Sequence, residues 1–235
     1  GEPIASKART QTVIARGARI RLEHLTVDGR DGQAPRDLSA VIEPGSVTVL
    51  TGRNGAGKST TLQVIAGISV PSSGRVVVDG VDVADLEPAR WWTQLSWLPQ
   101  RPVLVPGTVD ENLRLLGNLE DAEKACADSG FDAVLAELPE AGSTALGRGG
   151  VGLSLGQRQR LGLARALGST AAVLLLDEPT AHLDAATEER VLRTVVERAR
   201  AGATVIVVGH RAPVLAIGDQ VIEVVADRGV RYASA

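Results

Sequence analysis

The stretch "GRNGAGKST" at 52–60 follows directly on the β-branched run "VTVL" at 47–50, and it constrains this 235-residue chain more than any other feature. It reads Gly, four residues, Gly-Lys-Ser, between an apolar strand and the helical spacing of "TTLQVIAG". Strand, glycine loop and helix in that order form a phosphate cradle. Gly52, Gly55 and Gly57 let the backbone curl, so that N–H groups along Arg53, Asn54, Ala56 and Thr60 converge on phosphate oxygens. The helix behind the loop points its positive end at the same anion. Lys58 offers a point charge to β- and γ-phosphates, and the Ser59 hydroxyl is suited to Mg²⁺.

The rest of the chain supplies partners for such a loop. "VLLLDEPT" at 173–180 is a buried strand ending in an acidic pair. Asp177 stands where open α/β sheets bind ligands, as a Mg²⁺ partner, and Glu178 is placed to orient and deprotonate a water. His210 closes the strand "VIVVGH", and Gln100 lies in "SWLPQRP", where an amide can ligate Mg²⁺ or water. Further strands are expected at "RIRLEHLTV" (19–27), "GRVVVDG" (74–80) and, as an edge, "DQVIEVV" (219–225). An amphipathic helix over "AATEERVLRTVVERARA" puts Leu192, Val195, Val196 and Ala199 on one face. The Ala-, Leu- and Glu-rich stretch from about 109 to 140 reads as helices inserted into the α/β body. Residues 1–18 show no clean period and read as a linker or tail.

Composition narrows the class. A net charge of −3 gives no footprint for bulk nucleic-acid binding, and Arg158, Arg160 and Arg165 are expected to be solvated or paired with acidic neighbours. The lone Cys126 cannot form an internal disulfide. Apolar runs such as "AAVLLL" are far shorter than the ~20 residues that cross a bilayer. The count of Met is 0, which suggests a domain drawn from a longer polypeptide.

The phosphate loop, Gln100, "LSLGQ", "LLLDE", "AHLD" and His210 occur in one order, and in that order the chain resembles the nucleotide-binding domain of ATP-binding cassette (ABC) transporters from about residue 19 onward. The resemblance implies an α/β P-loop ATPase with a mostly parallel core sheet, an antiparallel β subdomain and a helical subdomain at about 101–168. It makes residues 52–60 the Walker A site for ATP and Mg²⁺, Gln100 the Q-loop, Asp177 and Glu178 the end of Walker B, and His210 the switch histidine. Ala181, His182, Leu183 and Asp184 become the D-loop.

The same resemblance makes Leu153, Ser154, Leu155, Gly156 and Gln157 a signature loop that addresses the ATP of a second such domain, in a heterodimer or a homodimer. Leu155 stands where the family has glycine. If the position needs φ > 0 or close backbone approach, leucine weakens the loop; if the side chain points away, little changes. The family's aromatic adenine platform is also missing from "LTVDGRDGQ" at 25–33. "RPVLVPGTVDENL" and "TALGRGG" resemble exporter segments that meet a membrane domain of the same polypeptide, and the pair Trp91–Trp92 fits either that surface or packing. Within the family, "LSLGQ" and "WLPQRPVLVPGT" look most like the CydD-type subunits of exporters of small thiols (cysteine and glutathione), at the cytoplasmic face of the cell membrane. A soluble ABC ATPase of DNA repair or translation, and an importer ATPase subunit, stand as alternatives.

Overall fold

The computed structural model describes residues 17–227. Five parallel strands form its central sheet, in the spatial order Gln220–Glu223, Val47–Thr51, Thr204–Val208, Val173–Asp177, Leu95–Leu98. The central strand Thr204–Val208 and its neighbour Val173–Asp177 are buried along their whole length, as strands covered on both faces must be. One apolar cluster on one face includes Leu50, Leu62, Ile65, Leu175 and Ile206. On the other face Val49, Leu174, Leu176 and Val207 pack against Val191, Leu192 and Val195 of the helix Ala185–Arg200. "DQVIEVV" is an edge strand, as expected.

The helix Ala185–Arg200 forms for reasons visible in its ends. Asp184 caps it, accepting the Thr187 N–H at 2.9 Å, and Arg198 and Arg200 sit in the last turn, where the helix dipole favours cations. Leu192, Val195 and Ala199 are buried, and Val196 is half-buried. A four-stranded antiparallel sheet (Leu38–Ile42, Ile20–Thr26, Ser73–Val78, Val81–Asp82) packs beside the core. Most of the segment read as a linker lies outside the described residues. Ala18, its last residue, is buried; its N–H donates to Thr204 Oγ1 at 2.8 Å and its carbonyl accepts from the same hydroxyl at 2.6 Å.

Between the strands Leu95–Leu98 and Val173–Asp177 the chain makes an excursion built on helices Val109–Leu113, Ala122–Ser129, Phe131–Glu137 and Leu155–Gly168. Phe131, Val134, Leu113, Leu146 and Leu161 give it an apolar cluster of its own. Burial pushes the Cys126 thiol in this cluster up to about 11, so it stays protonated.

Arg165 corrects the reading of the basic helix. It is 5% exposed and pairs with no acid among the described residues: its Nε and Nη2 donate to the Asn112 carbonyl at 3.1 and 2.6 Å, and its Nη1 to the Val103 carbonyl at 3.0 Å. Desolvation brings its pKa down to about 10, still charged at neutral pH. Arg158 likewise donates to the Leu153 carbonyl at 3.0 Å. Arg165→Leu leaves two buried carbonyls short of a donor and is expected to cost about 2–4 kcal/mol, read as a lower midpoint in urea at unchanged slope.

The tryptophans divide. Trp91 is buried, with its indole N–H on the Ile65 carbonyl at 3.0 Å; Trp92 is 51% exposed, with its N–H on the Ala66 carbonyl at 2.9 Å.

Candidate functional site

The parallel sheet brings the chemistry to one edge. The phosphate loop leaves the end of Val47–Thr51, Asp177 ends Val173–Asp177, and the strand Thr204–Val208 lies between the two. Two of the loop's glycines are sterically required. At Gly52 φ is +144° and an added Cβ would lie 2.4 Å from the Val224 carbonyl oxygen; at Gly57 φ is +98° and it would lie 2.2 Å from the Pro35 nitrogen. Neither conformation nor space admits a side chain. Gly57 starts the helix Lys58–Ile65 with no side-chain cap, which leaves the first turn for an anion. Lys58, 8% exposed, folds its ammonium back onto the carbonyls of Gly52 (2.6 Å) and Arg53 (3.0 Å) and so holds the loop in shape.

Asp177 is 4% exposed, and its Oδ1 has no hydrogen-bond partner. Its pKa is raised, first by burial and further by the charge of Glu178, against a hydrogen bond from Ser59 and the charge of Lys58. A buried acceptor short of a donor, beside a serine hydroxyl, is the donor set a small divalent cation takes. The residues therefore fit Mg²⁺, with Ser59 and Asp177 as its protein partners and Gln100 in reach of the same cavity.

The raised pKa fixes a pH dependence. As pH rises past 3.8 the unfolded chain releases this proton first, so native stability falls until the folded pKa is passed. On the alkaline side of that range the ionised carboxylate carries the desolvation penalty. Asp177→Asn is therefore expected to raise the unfolding midpoint of the nucleotide-free protein at pH 7, by about 0.5–2 kcal/mol, and to abolish the stabilisation given by Mg-ATP. Thermal melts with and without Mg-ATP check both.

Glu178 has a φ of +50°, a left-handed conformation that costs a non-glycine residue energy and swings its carboxylate off the strand line. Its N–H is tied to the Val208 carbonyl at 3.0 Å. Glu178, Asp177, Gln100, Ala181, His182 and Leu183 line one cavity of about 240 Å³, which Leu155 of the helix Leu155–Gly168 also lines. His182 also has a positive φ, of +62°. His210 lies two residues beyond its strand, exposed and outside that cavity. The neighbouring Arg211 donates to both oxygens of the buried Glu188 carboxylate, at 2.6 and 3.2 Å, which anchors the histidine's loop to the helix Ala185–Arg200. Sequence reading missed this pair, since neither residue belongs to a motif.

At the signature residues Ser154 and Gln157 form a capping box: the Gln157 N–H donates to Ser154 Oγ at 3.2 Å, and the Ser154 N–H to Gln157 Oε1 at 2.8 Å. Leu153 is buried beneath them. Leu155 is an ordinary first residue of the helix, and its side chain is 55% exposed. Within this chain the position calls for neither φ > 0 nor close approach. Gly156 faces open space, with nothing within 4 Å of an added Cβ.

The fold and the loop together define a P-loop ATPase domain. The family described as ABC transporter matches residues 35–181. The chain is 40% identical over 197 residues to the mycobactin import ATP-binding/permease protein IrtB of Mycolicibacterium thermoresistibile, covering 82% of this chain and 34% of that protein. It is 38% identical over 205 residues to the ABC-type transporter atr1 of Mycosarcoma maydis, covering 84% of this chain and 15% of that protein. The structure of a bacterial Atm1-family ABC exporter with ATP bound superposes with a TM-score of 0.82 at 29% identity, over 95% of this chain and 39% of the other. This chain belongs to the ABC transporter family, as its ATPase domain. It spans about a third or less of the curated relatives just named. Among the described residues no helix is long and apolar enough to cross a membrane.

Proposed function

We propose that this chain is the ATP-hydrolysing motor of an ABC exporter, working within a longer polypeptide that carries membrane spans. Residues 52–60 bind the triphosphate: Lys58 meets the β- and γ-phosphates, and the uncapped first turn of its helix donates N–H groups. Ser59, Asp177 and Gln100 would hold Mg²⁺, which when bound offsets charge on the phosphate oxygens. Glu178 orients a water and takes its proton, and His210 steadies the γ-phosphate side. The orphaned Oδ1 of Asp177, set next to Glu178 at the strand ends, is the observation that carries this reading.

The signature helix serves a second domain. Its N-terminus is exposed, Gly156 faces open space, and Ser154 and Gln157 are already preorganised by their mutual bonds. These features support a head-to-tail sandwich in which Ser154 and the backbone of Gly156 meet the partner's ATP, while Ala181 to Asp184 lie at the seam. The partner is a different chain in a heterodimer, with Leu155 marking the weaker of the two ATP sites; a homodimer is the other outcome of the test. Gel filtration with light scattering of Glu178→Gln in Mg-ATP decides it. An ATP-dependent doubling of mass supports the homodimer, and a monomer that binds nucleotide and dimerises only as Leu155→Gly assigns the block to the leucine. A nucleotide-binding monomer in both variants removes the sandwich from this chain alone.

For cargo, the likeness of "LSLGQ" and "WLPQRPVLVPGT" to CydD-type subunits supports small thiols such as cysteine and glutathione. Thiol-stimulated hydrolysis by the full-length protein in vesicles tests this, and the side on which thiol accumulates tests direction. Thiol accumulating on the side of the ATPase domain would overturn export in favour of the import named for the mycobacterial relative.

A further inference from the structure

The side-chain oxygen of Gln159 is buried without a hydrogen-bond partner. It lies on the helix face Leu155, Gln159, Leu163, four residues apart, which lines the 240 Å³ cavity together with Gln100 and Arg101. The oxygen is buried within a half-buried side chain, so a protein donor that approaches it gains a shielded hydrogen bond.

The donors facing the cavity are few. Arg160 is the next residue on the helix and diverges from Gln159, since consecutive residues do not share a face. Asp177 and Glu178 are carboxyl side chains, the acceptors that the function above sets toward metal and water. Gln100 is committed to the nucleotide in the function proposed above, and His182 is exposed in a separate loop. Arg101 is exposed and has no hydrogen bond or ion pair within the described residues.

Its backbone is already seated on the same helix. Pro102 fills the space a side chain at residue 162 would need, with its Cγ 2.5 Å from the Cβ position of Gly162, and the Val103 carbonyl accepts from Arg165. Gly162 is one helical turn from Gln159. Toward its other end the segment continues from Leu98, which ends the strand paired with Val173–Asp177. Arg101 thus sits between the Mg²⁺ edge and the signature helix.

We propose that Gln159 is a positioning residue: its buried oxygen accepts a hydrogen bond from the Arg101 guanidinium when nucleotide fills this chain's own phosphate site. That bond locks residues 100–101 and the signature helix into one arrangement. A guanidinium presents five N–H groups, and a bond from a charged donor is stronger than a neutral one. The proposal rests on the function above only for the nucleotide that drives the closure. Seen this way, the signature helix reports to a partner whether its own chain is loaded.

A double-mutant cycle tests it, with Gln159→Met, Arg101→Met and the pair, in Mg-ATP titrations of hydrolysis and of thermal unfolding. Each single change is expected to raise the Mg-ATP concentration for half-maximal effect about 5- to 30-fold, with no further rise in the double. Gln159→Met leaves the nucleotide-free melting point unchanged or raises it, because it removes an unsatisfied acceptor while keeping the shape. Gln159→Glu restores the wild-type titration, since a carboxylate also accepts from a guanidinium. Multiplying single effects in the double, no effect of either change, or a nucleotide-free melting point that falls with Gln159→Met would overturn the proposal. Failure of the functional reading is separately visible: a wild-type chain that is stabilised by Mg-ATP without hydrolysing it rejects that reading, and the thermal titration still reads the cycle.

Discussion

Glu178→Gln is expected to lower ATP hydrolysis about 10²–10⁴-fold while leaving nucleotide binding in place, the range a positioned base contributes. The amide keeps the size and one oxygen of the carboxylate but cannot take a proton. The backbone geometry makes the effect large. Glu178 is held at a φ of +50° by its N–H on Val208 and by the turn that Ala181 closes onto the Glu178 carbonyl at 3.1 Å. Fold and loop therefore fix where the carboxylate stands. Nothing in that scaffold depends on its charge, so thermal stabilisation by Mg-ATP should survive the change, and single-turnover hydrolysis should not. Near-normal turnover would remove Glu178 from the role of base.

Gly57→Ala is expected to cost this chain about 3 kcal/mol or more and to abolish Mg-ATP stabilisation, whereas Gly156→Ala should stabilise the nucleotide-free chain by about 0.5–1 kcal/mol. Both glycines belong to motifs of the same family, yet they meet different surroundings. A Cβ at residue 57 would lie 2.2 Å from the Pro35 nitrogen and 2.3 Å from the Ala34 carbonyl carbon, backbone atoms that cannot turn aside, at a φ of +98°. At residue 156, in the first turn of a helix, a Cβ meets nothing within 4 Å. Urea unfolding of the two variants separates them. If Gly57→Ala unfolds with the wild-type midpoint, the cradle is more pliant than its packing implies; if Gly156→Ala destabilises the isolated chain, its glycine serves the fold and its role toward a partner loses support.

Arg165 and Gln159 mark where sequence reading stopped. Both lie in the helix that opens with the signature; residue type makes Arg165 solvated or paired with an acid, and it assigns Gln159 nothing. Arg165 is buried against the carbonyls of Asn112 and Val103. A backbone carbonyl has no residue-type signature, so no pattern in the chain announces such a partner. Glu188 and Arg211 are hidden for a related reason: each is an ordinary charge on its own element, and only packing of the two elements makes a buried pair.

The strand–loop–helix at residues 52–60, the acid pair after 173–176 and the alternation of buried strands with an amphipathic helix were readable because each is local. A phosphate loop needs its glycines within a few residues, and a covered parallel strand needs an unbroken apolar run. Those features determined an α/β P-loop domain and the identities of its chemical groups. The tertiary structure alone decided what those groups can do to each other: that Asp177 is left with an unpaired oxygen, that Gly57 admits no side chain while Gly156 does, and that Leu155 opens a helix without strain. The physical reason is that desolvation and steric exclusion depend on atoms from distant segments, such as Pro35 behind Gly57, which folding brings within contact and which no local pattern encodes.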